Sequence, residues 1–94
     1  MTVLFITDDS FLEHDTGAGH PESIDRLLSV NQALNDEAFS SLLRRSAIDA
    51  TNDQMAAPHS VDFISALMDA APDDGYRHID PDTVMSPGTD EAIR

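Results

Sequence analysis

The sequence predicts an α/β domain with a parallel sheet, to which these 94 residues contribute one or two strands and several helices. Three observations carry that expectation. Val3–Thr7 is a short, β-rich apolar run stopped by Asp8-Asp9, the pattern of a strand buried on both faces in a parallel sheet. A polar, glycine-bearing loop follows it, and then apolar residues at helical spacing. Only one further strand, Arg44–Ile48, can be read, so the chain supplies one edge of such a sheet rather than the whole.

The elements follow in order. Asp8–Gly19 reads as a loop leaving the C-terminal end of the first strand, where open α/β folds place ligand sites. A helix follows, with Ile24, Leu27, Leu28, Asn31 and Leu34 on one face and Pro21 and Glu22 in its first turn. Asn35 or Asp36 ends it, and Ala38–Leu43 reads as a second short helix. Thr51 is an N-cap for a short helix ending before Pro58-His59-Ser60. Ser60 caps a clearer helix, Val61–Ala70, with Val61, Ile64, Leu67 and Met68 on its apolar face. Pro72–Gly75 is a turn, and Tyr76–Thr83 reads as a loop. Ser86 as N-cap and Pro87 at the first position open a last helix. That helix is marginal by itself, so residues 1–94 are expected to be the incomplete N-terminal part of a domain.

Composition narrows the function. Eighteen acids against five basic residues, all arginine, leave a formal charge of −13. A phosphate backbone is repelled by that charge, so no nucleic-acid partner is expected, and no anionic membrane surface. There is no cysteine, which removes disulfides, thiolate zinc sites and a Cys nucleophile. The Thr2–Ile6 run lacks the basic start and length of a signal peptide, and no stretch approaches a membrane span. A cytoplasmic location is expected.

The chemistry-bearing residues concentrate in His14–Arg26. Gly17 and Gly19 beside Pro21 indicate a shaped loop, because glycine reaches positive φ freely and proline fixes φ. His14, Asp15 and His20 share this loop, but the His14–His20 spacing matches no common zinc pattern. His59 and His78 stand alone. Asp80-Pro81-Asp82-Thr83 lacks the glycine and glutamate of a calcium loop. There is no Gly-x-Ser-x-Gly elbow, and Gly17-Ala18-Gly19 is too short for a phosphate loop. The residues by themselves predict no catalytic group and no metal ligand.

Three stretches together carry a resemblance. His14-Asp15-Thr16-Gly17, Gly19-His20-Pro21-Glu22 and Arg26-Leu27 form the first. Ile79-Asp80-Pro81-Asp82-Thr83 with Ser86-Pro87-Gly88-Thr89 and Glu91-Ala92 form the second, and Pro58-His59-Ser60 to Phe63-Ile64 the third. Taken in chain order they resemble the N-terminal portion of the histone deacetylase family, in its bacterial branch of acetoin-utilisation proteins, acetylpolyamine amidohydrolases and deacetylase-like amidohydrolases.

The resemblance implies an arginase/deacetylase-type parallel-sheet fold. It also implies a zinc-dependent hydrolase acting on acetylated lysine or polyamine, with zinc polarising the carbonyl and activating water. Asp82 matches the family's rim aspartate, which holds the substrate backbone amide. His14, Asp15, Gly17, Gly19, His20 and Pro21 match the loop that shapes one side of the pocket. Arg26 matches a structural helix arginine. Ser23 departs from the pattern, since many relatives carry there an arginine that in some lines an acetate-release channel. The family's tandem histidines, Asp-x-His zinc pair and tyrosine lie later in its sequence, and this chain has no His-His and no Asp-x-His. The expectation is therefore a chain inactive alone, needing no zinc by itself, with the remainder of the domain as a partner. The alternative is a small acidic non-enzymatic binding protein derived from such a domain.

Overall fold

Parallel pairing organises the first half of the chain. The computed structural model describes all residues from Met1 to Arg94. Strand β1, Leu4–Thr7, pairs in parallel with β2, Leu43–Ser46, in the register Leu4↔Leu43 to Thr7↔Ser46. The connection between them holds a 3-10 turn (Asp9–Glu13), helix α1 (Ile24–Ala33) and a second 3-10 turn (Glu37–Phe39). The chain is thus a small α/β domain with a two-stranded parallel sheet and helices.

Local chemistry sets the boundaries, and several differ from the sequence expectation. Asp8–Gly19 is not all loop: the Asp8 carboxylate accepts the Ser10 N–H at 3.0 Å and starts the first 3-10 turn. This bond holds the Asp8 carboxyl below its ordinary range. Pro21 and Glu22 precede α1 rather than forming its first turn. Ser23 is extended, and its hydroxyl accepts the Arg26 N–H, which makes it the N-cap. Residues 20–22 are held in the loop because the Glu22 N–H donates to His20 and the Thr16 hydroxyl donates to the Glu22 carbonyl.

Ala38–Leu43 does not form a helix beyond the turn at Glu37–Phe39. Leu43 instead opens β2, its N–H donating to the Val3 carbonyl at 2.9 Å. β1 is not buried on both faces: Leu4 and Ile6 are about half exposed. With only two strands and little packed over them, the apolar run stays open to solvent. The Arg44 guanidinium lies 5.2 Å from the Phe5 ring centre and shields part of the other face.

The middle of the chain follows its caps. Helix α2, Asn52–Ala56, begins with a capping box in which Thr51 and Gln54 satisfy each other's backbone N–H groups. Helix α3, Val61–Asp69, starts at Ser60, whose hydroxyl accepts the Phe63 N–H at 3.1 Å. Val61 and Phe63 are exposed, as are Leu28 and Val30 on α1.

Tyr76–Thr83, expected as loop, contains most of a hairpin. Strand β3, Arg77–Asp80, pairs antiparallel with β4, Thr83–Met85, with an irregularity between His78 and Asp80. The turn between them is Pro81-Asp82, tightened by the Asp80 carboxylate accepting the Asp82 N–H at 2.8 Å. Helix α4, Thr89–Ile93, starts after Gly88 rather than at Ser86-Pro87. The Ser86 hydroxyl accepts the Asp15 N–H and donates to the Glu13 carbonyl, and no side chain caps α4.

Only five residues are buried: Thr16, Val84, Met85, Ser86 and Thr89. The core therefore sits where β4 and α4 meet the Asp9–Glu13 turn and the loop after it. Elsewhere the chain is open. Its radius of gyration is 15.4 Å, against about 12 Å for a compact domain of this length.

Candidate functional site

The loop after the first 3-10 turn is held in a seam against the β3–β4 hairpin and α4. Ser86 is its centre. The Ser86 hydroxyl donates to the Glu13 carbonyl at 3.0 Å and accepts the Asp15 N–H at 2.9 Å. The Ser86 N–H donates to the Thr89 hydroxyl at 2.8 Å, and that hydroxyl also lies 2.9 Å from His14 Nδ1. Ser86 and Thr89 are each 3% exposed, so these polar groups are satisfied inside the protein.

Asp15 bridges to the strand side of the seam. One carboxylate oxygen accepts the Gly17 N–H at 2.9 Å, and the other accepts the Tyr76 hydroxyl at 2.9 Å. The Gly17 bond first, then the Tyr76 bond and nearby His14, hold the Asp15 carboxyl below its usual range. The same pairing pushes the Tyr76 phenol up, because its hydroxyl donates to a carboxylate whose charge opposes ionisation. Gly17 sits at φ +91 against the Tyr76 ring. Gly19 sits at φ +82, a conformation that side chains rarely adopt.

His20 closes the far end. Its Nδ1 accepts the Glu22 N–H at 3.0 Å, so Nε2 carries the proton and donates to the Asp82 carbonyl at 2.9 Å. Pro21 and Asp82 are exposed. His14 and His20 thus face different partners and do not converge with Asp15. No three His, Asp or Glu side chains are grouped to hold a metal ion. The residues of this chain do not fit a zinc site, and no step of zinc chemistry is assigned to them.

Sequence reasoning missed Tyr76, Gly88 and the inward use of Ser86. Tyr76 is the only tyrosine and follows a turn, which is the one signal it offered. A side chain on Gly88 would put its Cβ 2.5 Å from the Glu13 Cβ and 3.0 Å from the Glu13 carbonyl oxygen. Gly88 is required so that α4 can approach the Asp9–Glu13 turn. No helix is long and apolar enough to cross a membrane. No family model matches the chain, and no curated protein matches it.

Proposed function

We propose that residues 1–94 form the N-terminal part of a zinc-dependent deacetylase domain of the histone deacetylase family, acting on acetylated lysine or polyamine. The observation that carries this reading is the seam. The two longest stretches of the resemblance, His14–Leu27 and Ile79–Ala92, hydrogen-bond directly although the bonded residues lie 62 to 75 positions apart. Two stretches that serve one pocket mouth must meet in this way. The parallel β1–β2 pair supports the finer arginase/deacetylase-type fold, and the absence of cysteine suits a cytoplasmic location.

In this reading His14, Asp15, Gly17, Gly19, His20 and Pro21 form one wall of the pocket. Asp82 stands at its rim and receives a substrate backbone amide. The His20 bond to the Asp82 carbonyl sets where that rim turn sits. Zinc and the groups that act on the acetyl carbonyl come from polypeptide outside these residues. The chain alone is inactive.

Two measurements test this. Purified residues 1–94 with zinc and an acetyl-lysine peptide should release no acetate above a metal-only blank; turnover would overturn the claim of inactivity. DNA downstream of the Arg94 codon should continue, in frame or after one frameshift, into His-His and Asp-x-His motifs. An unrelated gene after a stop codon would instead favour a small acidic binding protein.

A further inference from the structure

Behind the seam lies a cavity of about 390 Å³, and of its lining residues only His14 also belongs to the proposed pocket wall. Its walls are mainly apolar, with Phe11, Leu67, Val84, Met85 and Ile93 contributed by four separate elements. Val84 and Met85 are among the few buried residues, so the cavity adjoins the best-packed part of the molecule. Its volume falls in the range of small-molecule sites, roughly 300–1,000 Å³.

The polar lining defines the ligand class. It consists of His14, Thr83 and Thr89, with no acid and no arginine. A charged ligand would find no counter-charge there, and an anion would also meet the repulsion of a chain at −13. The Thr89 hydroxyl is already engaged by the Ser86 N–H and by His14 Nδ1. That leaves His14 Nε2 as the free ring nitrogen. Nε2 donates if Thr89 gives its proton to Nδ1, and accepts if Nδ1 carries the proton. A ligand hydroxyl can satisfy either arrangement.

The geometry points to a binding site for a neutral, compact, mainly apolar molecule carrying one hydroxyl, with its apolar body against Phe11, Leu67 and Met85 and the hydroxyl on His14. The site shares His14 with the proposed pocket wall, but its test reads binding of a neutral probe and not acetate release, so the two readings fail separately.

The test uses the 94-residue chain with methyl-labelled methionine and 2-naphthol as the probe, with naphthalene as its hydroxyl-free counterpart. The Met85 methyl resonance should shift saturably with 2-naphthol while that of Met1, 117% exposed, stays put. 2-Naphthol should bind severalfold tighter than naphthalene, the scale of one hydrogen bond. Leu67→Trp, which fills the cavity, should abolish the shift. No saturable change at Met85, or equal affinity for the two probes, would overturn the assignment without reliance on any variant.

Discussion

Replacing Ser86 by alanine would strip three hydrogen bonds from the seam, those to the Asp15 N–H, the Glu13 carbonyl and the Thr89 hydroxyl. The bonds to Asp15 and Glu13 are only partly buried, so each lost bond costs about 0.5–1.5 kcal/mol. Amide hydrogen exchange at Asp15 should accelerate severalfold, up to about tenfold, in Ser86→Ala, since 1.4 kcal/mol is a factor of ten; an unchanged rate would remove Ser86 from its central place. Asp15 and Tyr76 offer a second test at this scale. The Asp15 carboxyl is depressed below 3.8, so its contribution to folding is present above that pH and is lost as pH falls through the lowered value. The Tyr76 phenol is raised above 10.0, so its contribution is present below that pH and is lost as pH rises through the raised value. Tyr76 is the only tyrosine and there is no tryptophan, so its absorbance titrates without overlap. Asp15→Asn removes the opposing charge and should bring the Tyr76 midpoint down toward 10.0. An unmoved midpoint would mean that the pair does not form in solution.

At the scale of elements, caps were the most legible feature. Thr51 and Ser60 each announced a helix, because a hydroxyl that accepts an N–H three residues on is a purely local device. β2 was legible as a strand but not in its bounds, since Arg44–Ile48 was expected and Leu43–Ser46 is found. The hairpin was not, because Arg77, His78 and Asp80 show no apolar alternation and the strands are set by pairing across the turn. Ser86 misled for the same reason: its hydroxyl serves a carbonyl 73 residues away rather than its own helix. The candidate loop was legible as a shaped loop, while its partners Tyr76 and Thr89 were fixed by tertiary contact. Gly88 marks where two elements touch. Gly88→Ala must push α4 off the Asp9–Glu13 turn, because a carbonyl oxygen and a Cβ cannot swing aside. Overpacking of this kind costs about 1–3 kcal/mol. Exchange at the Ala92 N–H, bonded to the Gly88 carbonyl at 3.1 Å, should rise accordingly. Equal protection in both proteins would contradict the close approach.

For the whole molecule, the balance is between one ordered seam and much open apolar surface. The five buried residues out of 94 confine the packed core to the seam and the β4–α4 region beside it. Parallel strands are ordinarily covered on both faces, yet Leu4 and Ile6 lie open on β1. Calorimetry of residues 1–94 should give a broad, weak transition; a sharp peak would show that the chain is self-sufficient. The apolar faces on β1, α1 and α3 are the surfaces that the rest of a deacetylase domain would cover in the proposed reading. The most direct measurement places this chain in that setting: residues 1–94 replace the corresponding first segment of a bacterial deacetylase-like amidohydrolase, and acetate release from an acetyl-lysine peptide is measured. The account predicts an active chimera whose kcat/KM falls about tenfold or more in Asp82→Ala, the scale of one hydrogen bond to a charged group. A chimera that folds and binds zinc but releases no acetate would contradict it.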